Sequence, residues 1–182
     1  MSRFPFRRPY RVSSRQRVLG FSLLELMIVI AIIVVLALIA LPGVPDKFVR
    51  DQIVDAVKLA DIAKAPVALT WATTATMPAD NAAVGLPPAA MIVNNYIASV
   101  AVESGAIQVT FGNHANGSIR GKVLSLRPGV IEGAPIVPVA WVCGNAEPPV
   151  NMTARGLNKT NIALKFLPLN CRASGAASAP GG

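Results

Sequence analysis

The chain has 182 residues, enough for one domain of ordinary size plus flanking segments. Apolar residues make up 53% and charged residues 14%, with a net charge of +8. Both excesses are local: Arg3, Arg7, Arg8, Arg11, Arg15 and Arg17 precede residue 20 with no acidic residue among them, whereas residues 21–182 carry eleven basic and nine acidic side chains. The high pI therefore does not describe a general nucleic-acid-binding surface.

From Phe21 to Leu41 every residue is apolar except Ser22 and Glu25, and Leu26–Leu41 is an uninterrupted run of sixteen apolar residues. As a helix, Phe21–Leu41 would be about 31 Å long at 1.5 Å per residue, which matches the hydrocarbon thickness of a bilayer. The basic leader places the N-terminus in the cytoplasm by the positive-inside rule, with everything after Leu41 on the periplasmic or outer side. A cleaved secretory signal competes with this reading. Its apolar core is usually shorter, however, and no A-x-A site follows Ala40-Leu41-Pro42-Gly43-Val44-Pro45. A plain anchor leaves Glu25 unexplained, because a lone carboxylate near the centre of a membrane costs on the order of 2–3 kcal/mol. Cleavage between Gly20 and Phe21 would supply a partner. The new α-amino group is charged near neutral pH and lies four residues from Glu25. Between two chains staggered by about one turn, amine and carboxylate would meet in hydrocarbon, where errors of register are heavily penalised.

Gly20-Phe21-Ser22-Leu23-Leu24-Glu25-Leu26-Met27-Ile28-Val29-Ile30-Ala31-Ile32-Ile33 resembles the N-terminal motif of type IV pilins. The resemblance implies that a prepilin peptidase cuts after Gly20, that Phe21 is N-methylated, and that Glu25 guides docking of the subunit into a filament. Further along, Pro42, Gly43 and Pro45 interrupt the helical pattern, and a kink or unwound stretch is expected between about Ala37 and Asp46. Pilins carry a proline at the position of Pro42. Val44 and Lys47 stand where relatives often have aromatics, which argues against aromatic stacking along a filament core.

Helical periodicity resumes from Asp46 to about Trp71. Val49, Ile53, Val57 and Ala60 form an apolar stripe, and the pairs Asp55/Lys58 and Asp61/Lys64 lie on the polar side. Pro66 is expected to bend or end a segment of this helix. Residues 72–95, rich in Ala, Pro, Thr and Asn, read as a connecting loop. Strand-like runs follow at Tyr96–Val102, Ala106–Phe111, Ser118–Leu126 and Val137–Cys143, separated by Gly/Asn turns, which argues for an antiparallel sheet. Cys143 and Cys171 are too far apart for a redox motif, and with one distant histidine they make a poor zinc site. Outside the cytoplasm they read as a disulfide, and otherwise as two buried thiols. Residues 172–182 form an Ala/Ser/Gly/Pro tail, in which Ser174 and Ser178 are candidate glycan carriers. The Asn116, Asn151 and Asn158 sequons are chance matches in a chain of bacterial type.

The expected organisation is a leader (1–20), an apolar membrane-spanning and assembly helix (21–45), an amphipathic helix (46–71), a loop (72–95), a sheet with a closing loop (96–171) and a tail (172–182). The expected fold class is α+β, a long N-terminal helical spine packed on an antiparallel sheet. Gly105-Ala106-Ile107, Gly121-Lys122-Val123-Leu124, Trp141-Val142-Cys143 and Leu167-Pro168-Leu169-Asn170-Cys171 carry the pilin resemblance into this region, where it implies a disulfide-closed C-terminal loop.

His114, the only histidine, lies in Gly112-Asn113-His114-Ala115-Asn116-Gly117, a turn with no nucleophile or carboxylate motif around it. No phosphate loop, dinucleotide fingerprint or metal cluster is readable, so neither a catalyst nor a cofactor is expected. The resemblance implies a structural subunit that polymerises with identical or related pilins and is handled by the prepilin peptidase and an assembly machinery. It would reside in the inner membrane before assembly and in an extracellular pilus afterwards, serving adhesion, twitching motility or DNA uptake. A minor pilin, a type II secretion pseudopilin and a DNA-binding or adhesive tip protein are the alternatives. For the last, Arg120, Lys122 and Arg127 form a candidate basic patch that would contact DNA or a surface receptor.

Overall fold

The computed structural model describes residues 20–40 and 44–173, so leader residues 1–19, Leu41, Pro42, Gly43, Ser174 and Ser178 lie outside the described residues. The chain divides into two units, one up to residue 42 and one from residue 43. In the first, Ser22 opens a helix by accepting the Leu26 amide at 3.1 Å, and α1 runs Leu23–Ala40, eighteen residues. At 1.5 Å per residue that is about 27 Å, short of a hydrocarbon core of roughly 30 Å. Phe21 is left outside the helix, and among the described residues no helix is long and apolar enough to cross a membrane.

The second unit begins with α2, Val44–Thr74. Pro45, expected as a breaker, is the second residue of this helix. Amides in a first helical turn have no intrahelical acceptor, so proline's missing N–H costs nothing there. Pro66 does not end a segment, since α2 continues through it. The carbonyl it leaves without a donor belongs to Ile62, on the exposed side of the helix, where water can serve it. The buried stripe is Val49, Ile53, Ala56, Ala60, Ala63, Val67 and Trp71. Ala56 takes the place expected of Val57, which is half-buried, and the alanines let the sheet approach the helix backbone. The polar face carries the expected pairs, Lys58–Asp55 at 3.6 Å and Lys64–Asp61 at 2.6 Å.

The antiparallel sheet orders β1 (Ile97–Glu103), β2 (Ala106–Phe111), β3 (Val123–Val130) and β4 (Ala140–Cys143) side by side, with β5 (Thr153–Ala154) paired to the far end of β3. Cross-strand rows Val100–Val109–Leu124 and Val102–Ile107–Leu126 share one face and join the core of α2. β2 has its expected limits. β3 starts five residues later than expected, because Ile119 and Arg120 both donate to the Asn116 carbonyl and Gly121 turns the chain at φ +71°. β3 also runs on through Pro128. Its missing donor faces the side where β2 has already ended at the Ile107–Leu126 pair, and its carbonyl accepts from Arg155 at 2.8 Å.

The loop after α2 contains two short 3-10 helices, Ala82–Val84 and Ala89–Met91, and covers the free edge of β1. Asn81 does most of this. Its Oδ1 accepts the Val102 amide at 2.6 Å, while its Nδ2 donates to the carbonyls of Val100 at 3.1 Å and Pro87 at 2.8 Å. A single buried side chain thus imitates a strand on an edge that would otherwise be open to pairing.

Candidate functional site

Two features carry the functional reading, and each is built within one unit. The first is α1. Leu23, Leu24, Met27, Ile33, Leu38 and Ile39 are among its uncovered side chains, from Leu23 at 76% down to Ile33 at 59% exposure. A helix that is apolar on every side has no aqueous face, so its proper surroundings are lipid or other helices. Glu25, the only charged residue of α1, lies in its first turn, where the helix dipole favours a carboxylate. Phe21, 78% exposed, and Gly20 precede the helix in non-helical backbone, with open space around Gly20. Pro42 and Gly43, expected to break the helix, lie outside the described residues.

The second feature is the C-terminal loop. Cys143 at the end of β4 is bonded to Cys171, with Cα atoms 4.5 Å apart, which closes the intervening segment onto the sheet. Chain entropy makes such a closure worth about 3–4 kcal/mol. Gly144, at φ +55°, has no room for a Cβ because the Cys171 carbonyl would be 2.8 Å away. The closed loop covers the sheet face opposite α2. Gln108, buried there, donates to the Leu157 carbonyl at 2.9 Å and accepts from the Ser125 hydroxyl at 2.6 Å. Ser125 in turn accepts the Lys159 amide at 2.7 Å, and its own amide donates to Thr160 at 3.0 Å. Ion pairs Lys159–Glu103 and Arg155–Glu132 close the rim. The hydrogen bond to Glu132, and then that carboxylate's charge, hold the Arg155 guanidinium above its ordinary pKa.

Sequence reading found both cysteines. It missed Gln108 and Ser125, whose only signal was a polar residue inside an apolar strand pattern, and Asn81, which carries no such signal in the 72–95 loop. It also grouped Arg127 with Arg120 and Lys122. Arg127 lies farther along β3, half-buried, where its Nη2 donates to the carbonyl of Ala146 at 3.3 Å. Arg120 and Lys122 stay exposed at the other end of that strand. His114 is an exposed turn residue whose amide donates to Asn95 at 2.9 Å. Among the described residues no group of three His, Cys, Asp or Glu side chains is placed to hold a metal.

Known proteins give the same two features. Residues 15–41 match the prokaryotic N-terminal methylation motif, and residues 49–172 match the pilin family of bacterial filaments. The chain is 36% identical over 159 residues to the type IV major pilin protein PilE1 of Neisseria gonorrhoeae, covering 84% of this chain and 86% of that protein. It is 34% identical over 171 residues to a fimbrial protein of Neisseria meningitidis serogroup B, covering 87% and 96%. To fimbrial protein EcpC of Eikenella corrodens it is 35% identical over 157 residues, covering 84% and 90%. A helix on an antiparallel sheet, a stapled C-terminal loop and an N-terminal methylation motif belong together in one family: this chain is a type IV pilin.

Proposed function

We propose that the chain is the precursor of a structural subunit of a type IV pilus, in the major-subunit role named for PilE1. A prepilin peptidase cuts between Gly20 and Phe21, and Phe21 is N-methylated. The precursor waits in the inner membrane through Phe21–Leu41, leader inside and head in the periplasm. The assembly machinery then moves the helix into a filament core made of identical or related subunits, and the finished pilus is extracellular. Such a filament serves adhesion, twitching motility or DNA uptake, and the chain works by assembly, without catalysis or cofactor.

The observation that carries this reading is α1, apolar on all sides, uncovered, and charged only at Glu25 in its first turn. A membrane gives such a helix a place to wait, but leaves Glu25 without a counter-charge. A bundle of staggered copies supplies one in each neighbour's α-amino group. The relatives named above are major pilins and fimbrial proteins, which favours the main subunit over a minor pilin or pseudopilin. Antibodies against the head should decorate surface filaments along their whole length, and deleting the gene should remove those filaments. Labelling confined to filament ends, or unchanged filaments after deletion, would contradict the major-subunit role.

A further inference from the structure

Two loops pack against the first turns of α2, and both are basic. The loop 112–122 is tied to α2 by the Asn116 amide, which donates to Gln52 Oε1 at 2.9 Å. The loop 161–172 is tied to it by Arg50, whose Nη2 donates to the Lys165 carbonyl at 2.7 Å, and the same carbonyl receives Arg172 Nη2 at 3.5 Å. Asn161 exchanges hydrogen bonds with Val123, the first residue of β3 and the one after the loop 112–122, through its side chain at 2.7 Å and its amide at 3.2 Å. Between them the two loops carry Arg120, Lys122, Lys165 and Arg172 and no carboxylate. The opening turns of α2 are balanced, with Asp46 and Asp51 against Lys47 and Arg50, so they do not cancel the loops. None of these cations is in an ion pair among the described residues. Elsewhere on the head the rim lysine and arginine, Lys159 and Arg155, are both paired to carboxylates. The basic loop 161–172 also leaves Leu164 and Leu169 uncovered.

We infer that this end of the head rests on an anionic phospholipid surface while the subunit waits in the membrane, the cations engaging phosphate and the two leucines the acyl boundary. The inference rests on the membrane residence proposed above. The two loops are tied to the opening turns of α2, which in sequence follow directly on the apolar run. Unpaired cations beside uncovered leucines are the composition of an interfacial surface rather than of a freely solvated one. Juxtamembrane basic residues gain attraction to an anionic leaflet that falls off within a Debye length.

Full-length chain reconstituted in phosphatidylglycerol-containing and in pure phosphatidylcholine vesicles tests this, after flotation, by amide hydrogen exchange at residues 112–122 and 161–172. Exchange there should be roughly tenfold slower on the anionic vesicles, and the difference should vanish in high salt. It should also vanish in the K122Q/K165Q variant: among the described residues neither ammonium group makes a hydrogen bond or ion pair, and Lys165 gives up its place 4.6 Å over the Phe166 ring. Equal exchange on both vesicle types, in protein that floats with both, would overturn this inference alone. Failure to float with either would overturn membrane residence and this inference with it. Protection that rises with protein-to-lipid ratio regardless of lipid charge would reassign the surface to a second copy of the chain. Protection produced on neutral vesicles by a duplex oligonucleotide, and absent with anionic lipid, would reassign it to nucleic acid.

Discussion

A carboxylate on an otherwise apolar helix avoids its desolvation penalty only at a helix end, in water or against a counter-charge. Glu25 has the first of these in α1, and the proposed assembly supplies the third. Glu25→Ala should therefore abolish surface filaments while processing after Gly20 continues, measured by sheared-filament yield and by the mass of the membrane-retained protein. Glu25→Gln should be nearly as defective, since it keeps the shape and removes the charge. Filaments of normal abundance from either variant would dismiss the docking role. In the head, Asn81 holds three backbone groups of the connecting loop and β1. Asn81→Ala leaves buried peptide groups without partners and should cost roughly 2–4 kcal/mol. The fluorescence of Trp71 and Trp141, the only two tryptophans and both in the second unit, would report it during denaturation.

At the scale of elements, α2 and the sheet stand or fall on one shared core. Ile53 is fully buried, and Ile53→Ala should cost about 2–5 kcal/mol. The C-terminal loop is held twice, by the disulfide and by the Gln108–Ser125 pair. Cys143→Ser with Cys171→Ser should lower stability by about 3–4 kcal/mol. The amide of Lys159 should still be protected from exchange, because Ser125 accepts it independently of the sulfurs. The Arg155–Glu132 pair adds no pH dependence near neutrality. A raised arginine pKa contributes stability that is constant around neutral pH and is lost as pH rises through the strongly alkaline range. Much of this was legible in sequence. Val49, Ile53 and Ala60 keep helical spacing, and Gly105 and Gly112 bracket β2. β3 was not legible at either end: its Asn116–Gly121 turn looks like the start of a strand, and Pro128-Gly129 looks like its end. Only the finished length of β2 makes a proline acceptable at that place. Asn81 was invisible for a similar reason, since its partners on β1 are about twenty residues away and are backbone atoms.

The whole molecule joins a head with a buried apolar core to a helix that has no aqueous face. The head covers its main surfaces: its sheet edge by Asn81, its outer sheet face by the stapled loop, and its core by α2. The apolar helix does not, and the N-terminal methylation motif falls on that same stretch of chain. The apolar run, Glu25 and the cysteine pair were the parts of the site open to sequence reading. The polar contacts that dock the loop became visible only once β2 and β3 were paired. The most direct test of the account is the intact mass and N-terminal residue of this protein sheared from the cell surface. That chain should begin at Phe21, carry one methyl group on its α-amine and retain the Cys143–Cys171 bond. Surface protein that still carries residues 1–20, or a processed chain found only in the membrane and never in the sheared fraction, would contradict the account.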